Sequence, residues 1–236
     1  MIDNASKLAV FLVEHSTKTM AAAQPTPSTR ERLIEAAIAL FWEKGYANTS
    51  MTDLLAAAHA NSGSFYHFFD SKEDLLLAML DRYQDMLHPA LLEPAWKGVS
   101  DPIERIFALL ARYRDLILQT DCTYGCPIGR LALEIGPEQR EVHRRLALNF
   151  DGWAAAVREC LESAAARVPA DVDRERLSKF VLAVMEGGVM LSRSHRSVEP
   201  FDAAVAELRA YFDRLLVSAG RTDRKSSKKV RKASGG

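Results

Sequence analysis

Long hydrophobic runs are missing from this chain. The longest, Ala36 to Trp42, has seven residues, against the roughly 20 that a membrane-spanning helix requires. A soluble protein with no membrane partner is therefore expected. The apolar stretch Leu8 to Val13 follows Asp3 and Asn4; it is too short for a secretory h-region and lacks a convincing cleavage site, so the expected location is cytoplasmic. Cysteine is scarce. Cys122, Cys126 and Cys160 are an odd number and too few for a disulfide scaffold, which agrees with a reducing compartment. The six histidines are scattered, with no His-x3-His, Cys-x2-Cys or HExxH spacing, so neither a metal nor a cofactor is expected. Also absent are a Gly-x-Ser-x-Gly elbow and a glycine-rich loop following a strand. No signature of catalysis remains, and the chain is not expected to be an enzyme.

Charge of one sign is lacking too, but the net value of zero hides an uneven distribution. Gly220 to Gly236 carries seven Lys or Arg against one Asp, which leaves 24 basic and 30 acidic residues in positions 1–219. Residues 220–236 read as a basic, disordered tail, with contact to nucleic acid as the less common alternative. Residues 1–27 read as an unstructured extension, in which Met20-Ala-Ala-Ala-Gln-Pro-Thr-Pro resembles a second start followed by a proline-punctuated lead-in.

What is present is helical periodicity. No stretch of residues 28–219 sustains the alternation of a half-buried strand, so the fold is expected to be all-α, with nine helices. Leu33, Ala37, Leu40 and Phe41 lie on one face of helix one, with Ser28 and Glu31 spaced as a capping box and Gly45 as its stop. Helix two starts at Thr49 or Ser50 with Asp53 reaching back, and helix three is short and capped by Asn61. Helix four starts at Ser71 with Asp74 three positions on and extends toward Pro89. Beyond it, Pro94, Pro102, Pro127, Pro137, Pro169 and Pro200 punctuate five further helices.

One of these carries Val142, Leu146, Phe150, Trp153 and Val157. The last two carry Leu177, Val181, Val184, Gly188, Leu191 and Phe201, Val205, Leu208, Phe212, Leu215. Both of these last sets step by 4, 3, 4, 3, the spacing of a seam between helices packed near 20°. Two such seams predict a homodimer, with Leu177, Val181, Val184, Gly188, Leu191, Val205, Leu208, Phe212 and Leu215 at its interface. Gly187-Gly188 inside a regular helix predicts a close helix crossing there.

A short helix, a tight turn and a second short helix in residues 49–68 suit the arrangement in which one helix crosses a DNA backbone and the next enters the major groove. Asn61, Ser62, Gly63, Ser64 and Tyr66 are small or hydroxyl-bearing, as close approach to phosphate and base edges requires. Phe65 and Phe69 are the expected buried anchors. Helix-turn-helix geometry also occurs in proteins that never meet DNA, and a helical dimer acting as a protein-binding adaptor is the alternative reading.

The segments Leu40-Phe-Trp-Glu-Lys-Gly-Tyr, Thr49-Ser-Met-Thr-Asp-Leu and Ser62-Gly-Ser-Phe-Tyr-His-Phe-Phe-Asp-Ser-Lys-Glu resemble the amino-terminal domain of the TetR family of one-component transcriptional regulators, nearly continuously from Arg30 to Leu80. The resemblance implies a repressor whose homodimer binds a palindromic double-stranded DNA operator and is released by a small-molecule effector. It implies a DNA-binding helix-turn-helix domain at 28–75 and a ligand-binding and dimerisation domain at 76–219. Carried over by position, Thr49 or Ser50, Tyr66, His67 and Lys72 would contact phosphates, and Ser62, Gly63 and Ser64 would face base edges. Two positions depart from the pattern. His59 stands where the family usually has a turn glycine, which predicts a positive φ at a histidine. Phe68 stands at a frequent histidine position, which shifts that role to His67.

Charge limits the head. Residues 28–75 hold four basic residues, Arg30, Arg32, Lys44 and Lys72, against seven acidic ones, so moderate affinity with steep salt dependence is expected. For the effector, aromatic and polar residues outside the seams point to Trp96, Phe107, Tyr113, Cys126, Arg130, Glu134, Trp153 and Met185, with ordinary core packing as the alternative. Cys122 and Cys126 are spaced to bring two thiols together for oxidant sensing, with Arg130 available to lower a thiol pKa; buried free cysteine is the commoner outcome.

Overall fold

A computed structural model describes residues 27–233, with side chains through Leu216. The extension expected at 1–27 lies, apart from its last residue, outside the described residues. Nine helices and no strands make up the described chain. The first three form a small head: α1 (Thr29–Glu43), α2 (Met51–Ala57) and α3 (Ser62–Phe68). Their ends follow from local chemistry. Ser28 and Glu31 form a reciprocal capping box, as do Ser50 and Asp53, and the Asn61 side chain accepts from Ser64 N–H. Ser50, not Thr49, is therefore the cap of α2. At the turn His59 has φ 48°, and Ala60 N–H donates to Leu55 C=O, the wrap-back bond of a Schellman stop.

Helix α4 links head to body and is longer than its prolines suggest. It starts as Lys72–Met86 with Ser71 as cap, loosens into a π-helical turn at Leu87–Leu92, and ends as Glu93–Trp96. The expected stop near Pro89 does not occur. Pro89 and Pro94 each lack an N–H, and the ladder widens over the intervening residues rather than breaking. Burial explains why the chain stays helical: Ala90 is buried at the edge of a cavity, and Leu91 and Leu92 are packed into the body's core.

The body comprises α5 (Pro102–Gln119), α6 (Pro127–Glu134), α7 (Arg140–Ser163), α8 (Arg174–His195) and α9 (Glu199–Ala233). Pro102 and Pro127 open their helices, behind the caps Asp101 and Cys126. The backbone of α9 runs on as helix through Ala233, where composition predicts a disordered tail. The segment Arg221 to Ala233 contains no Gly or Pro and is rich in Lys and Arg, which are good helix formers.

The hydrophobic interior has two parts that do not follow the order of the chain. One joins Leu33, Phe41, Leu54 and Phe65 of the head and Leu76 of α4 to Ile128, Leu131, Ile135, Val142 and Leu146 from α6 and the start of α7. The other unites the far end of α4 with α5, the rest of α7, α8 and α9.

The two 4-3-4-3 seams need a correction. In the single subunit Leu177, Val181, Leu208 and Phe212 are fully packed in the second core, so most of the expected dimer stripe is the contact of α8 with α9 and α7 inside one chain. Gly188 confirms the close crossing but also places it within the subunit, because a Cβ there would lie 2.9 Å from a ring carbon of Phe201 and 3.3 Å from its Cα. Val184, Val205 and Leu215 are half-buried and Leu191 is exposed. The outward apolar face consists instead of Phe180, Met190, Leu191 and Tyr211, with Phe180 and Tyr211 in edge-to-face contact at 6.0 Å. A seam pattern specifies that helices pack but not which chain supplies the partner.

Candidate nucleic-acid interface and effector cavity

Helix α3 is anchored on one side and bare on the other. Phe65 and Phe69 are buried, and their rings lie 5.8 Å apart. Ser62, Gly63, Tyr66 and His67 are exposed, Tyr66 by 61%, while Ser64 is half-buried. The Tyr66 ring meets the Phe65 ring edge-to-face at 5.2 Å, and most of its side chain is left open to solvent. Ser50 and Asn61 lie at the neighbouring helix starts, and both are exposed.

Two expected contacts are internal. Thr49 is 1% exposed, and its hydroxyl donates to Gly45 C=O at 2.7 Å, so it braces the α1–α2 turn. Lys72 is half-buried. Its ammonium donates to Tyr46 C=O at 2.5 Å and lies 4.3 Å from the centre of the Tyr46 ring, and burial pulls its pKa down. Other head cations are occupied as well: Arg32 donates to Ala58 C=O and Pro27 C=O, and Lys44 pairs with Asp53. Arg30 packs over Phe69.

Between α1, α4, α5, α6, α7 and α8 lies a cavity of about 130 Å³. Tyr113, Cys126, Trp153 and Met185 are on its wall, as expected. Phe107 is not; it is core, edge-to-face with Phe212 at 5.5 Å and covered by the Arg209 guanidinium. Arg130 lines an adjoining open groove of about 780 Å³, which shares Cys126, Phe150 and Glu186 with the cavity. The sequence reading missed Trp42, Tyr83, Tyr124, Phe150 and Glu186 on the cavity wall. Phe150 and Tyr83 carried a visible signal, as members of the α7 and α4 stripes.

All three cysteines are free, and the surroundings of each raise its thiol pKa rather than lower it. Burial first, and then the Glu186 carboxylate, push the Cys126 thiol well above its ordinary pKa. Burial pushes Cys160 up to about 11 and also raises Cys122. Arg130 does not activate Cys126, because its guanidinium is committed elsewhere.

That commitment ties the head to the body. Arg130 Nε donates to Glu134 Oε1 at 2.7 Å, and Nη1 donates to Trp42 C=O at 3.0 Å and Glu43 C=O at 3.3 Å, in the last turn of α1. Glu134 Oε2 accepts from Tyr46 N–H at 2.7 Å. Gly45 has φ +92°, and a Cβ there would lie 2.5 Å from Glu134 Oε1, so this turn requires glycine for conformation and for room. Trp42 Nε1 donates to Gly125 C=O at 2.8 Å, just before α6. The first turn of α6 thus lines the cavity while the same helix grips the head.

Among the described residues no group of three or more His, Cys, Asp or Glu is placed to hold a metal ion, and no helix is long and apolar enough to cross a membrane. Residues 33–79 match the family model for bacterial regulatory proteins of the tetR family, and residues 102–207 match the model for the LmrA/YxaF-like transcriptional regulator C-terminal domain. An uncharacterized HTH-type transcriptional regulator of Mycobacterium tuberculosis is 32% identical, over 76% of this chain and 92% of that protein. The HTH-type transcriptional repressor DhaR of a Mycobacterium species is 27% identical, over 80% of this chain and 93% of its own length. Among solved structures, a cysteine mutant of the TetR family regulator CifR, complexed with 26-bp double-strand operator DNA, is 25% identical with a TM-score of 0.67, and the match covers 80% of this chain and 100% of that one. With a head, a linking helix and a helical body all matched, the chain belongs to the TetR family of bacterial regulatory proteins, whose members are transcriptional regulators and not enzymes.

Proposed function

We propose that this chain is a cytoplasmic homodimeric repressor that reads a palindromic operator with α3 and releases it when a small molecule enters the cavity. Residues 28–75 act as the reading head and 76–219 as the sensing and dimerising body. The carrying observation is α3 itself: Ser62, Gly63 and Tyr66 stand exposed over a helix pinned by Phe65 and Phe69. DhaR is named a repressor and the CifR neighbour is bound to operator DNA, which supports the same use here. The outward face of Phe180, Met190, Leu191 and Tyr211 supplies the apolar surface for a second copy. Such a dimer can hold two reading helices about 34 to 36 Å apart, as successive major grooves demand.

Coupling runs through α6 and α4, which both line the cavity. A ligand that prefers a displaced α6 pulls on the Arg130 and Glu134 contacts to the head and alters helix spacing. Typical couplings of this kind are about 1–3 kcal/mol. Because Arg32, Lys44 and Lys72 are held internally, phosphate contacts fall to helix-start N–H groups, Ser50, Tyr66 and His67. The salt dependence of the head is accordingly shallower than its count of basic residues suggests. Selection of bound fragments from random DNA, repeated with Tyr66→Ala, tests the reading. A palindrome that the variant no longer binds, with fold and dimer intact, supports it. Equal binding of arbitrary and selected DNA refutes it, and binding of a protein partner in place of DNA favours the adaptor.

A further inference from the structure

The cavity wall is mostly aromatic and aliphatic, with Asn149, Cys126 and Glu186 as its polar side chains besides the tyrosines. Trp42, Tyr83, Tyr113, Tyr124, Phe150 and Trp153 surround it, and Glu186 of α8 is the one charged side chain among its lining residues. Nothing of opposite charge compensates that carboxylate: no ion pair among the described residues includes it, and its Oε1 is buried with no hydrogen-bond partner. Its other oxygen lies over Gly129, where a Cβ would come within 2.5 Å of it. Burial raises its pKa, and a hydrogen bond from the Cys126 thiol partly opposes the rise. A buried carboxylate without a cation is costly, and the cost is relieved when a partner of opposite charge arrives.

We infer that the effector is a small aromatic or aliphatic cation, an amine or quaternary ammonium, whose positive end meets Glu186 and whose apolar body fills the aromatic chamber. Size and chemistry agree. An engineered cavity of about 150 Å³ accepts benzene, so a volume of about 130 Å³ suits one ring or its equivalent. The faces of tryptophan and tyrosine attract cations, and an anion would meet Glu186 with like charge. Glu186 and Cys126 also line the open groove, so the carboxylate borders both chamber and groove. The groove carries Lys44, Arg130, Arg193 and Arg196 as well, so its own charge does not favour a cation's entry and the preference rests on Glu186 in the chamber. The inference rests on the effector reading of the cavity.

Isothermal titration of the full chain, without DNA, tests it with three probes of one shape at near-neutral pH: benzylammonium, benzyl alcohol and benzoate. Benzylammonium is expected to bind at least about tenfold more tightly than benzyl alcohol, with benzoate weakest. Glu186→Gln should erase that preference while leaving benzyl alcohol affinity within about twofold, as expected if the shape of the chamber is retained. The ranking on the unaltered chain stands as a test even if the variant folds poorly. Equal or tighter binding of the alcohol or benzoate, no heat from benzylammonium at millimolar concentration, or a preference that survives in Glu186→Gln overturns the inference. A cation preference in a chain that selects no operator would leave the site intact and refute only the repressor reading.

Discussion

Replacing Glu134 with glutamine separates charge from shape at the contact between head and body. The wild-type carboxylate receives Arg130 Nε and Tyr46 N–H, each at 2.7 Å, and the paired side chains are 17% and 22% exposed. Hydrogen bonds to charged groups contribute about 1.5–3 kcal/mol each, and a neutral amide retains part of that. Removing one member of a largely buried pair also strands the other, which costs about 3–5 kcal/mol when burial is complete. At this partial exposure a loss of about 2 kcal/mol is expected. For a domain of this size, about 2–4 °C per kcal/mol gives a fall of about 4–8 °C in Tm. Urea denaturation followed by circular dichroism supplies the free energy. A cycle with Arg130→Met isolates the coupling, which should exceed about 1 kcal/mol. Operator affinity should fall in the same variants, because the α1–α2 turn loses its support. Additivity within about 0.3 kcal/mol, or a loss below about 0.5 kcal/mol for Glu134→Gln, would show that the contact is ornamental.

The adjacent glycines of α8 should behave oppositely. Gly188→Ala drives a methyl to 2.9 Å from Phe201 and should lower Tm by several degrees, whereas Gly187→Ala meets nothing within 4 Å and should gain up to about 1 kcal/mol of helix propensity in the isolated subunit. Asp101 caps α5 and pairs with Arg167 at 2.5 Å, and that guanidinium, followed by the cap N–H bonds, holds its pKa at about 2. Its contribution is complete above the unfolded value of about 4 and disappears as pH falls toward 2; acid titration of Asp101→Asn, which keeps the cap, should show a weaker dependence in that window. Cys160 should resist a thiol-reactive disulfide reagent at pH 8 in the native protein and react on unfolding, since it is buried and burial raises its thiol; prompt native labelling there would contradict its placement.

Much of the head was legible because capping is local. Ser28, Ser50, Asn61 and Ser71 each act on backbone groups within three or four residues, whereas the positive φ at His59 was expected from the family resemblance alone. The cavity was half legible. Tyr113, Trp153 and Met185 sit at helical spacing, but Phe107 sits at the same spacing and is core, because periodicity reports burial and is silent on whether a neighbour or empty space lies opposite. Glu186 gave no signal: in Val-Met-Glu-Gly-Gly it looks like any solvated helix position, and its isolation from cations is a property of four other helices. The inward turn of Lys72 and the burial of Thr49 depend on the Tyr46 loop, which the spacing of α1 and α2 does not determine. The seams on α8 and α9 were legible as packing surfaces, but which members face a neighbouring helix of the same chain was not: Leu177, Val181, Leu208 and Phe212 are buried within the subunit, whereas Leu191 is exposed.

The floor beneath the reading helices is laid by residues from far downstream. Ile128, Leu131, Ile135, Val142 and Leu146 close the same interior as Leu33, Phe65 and Leu76. The head is therefore not an interchangeable cassette: grafted onto an unrelated scaffold, it would arrive with greasy side chains facing water. A chimera that redirects this regulator to another promoter must transplant α6 and the opening turns of α7 together with the recognition segment, or rebuild their underside on the new host.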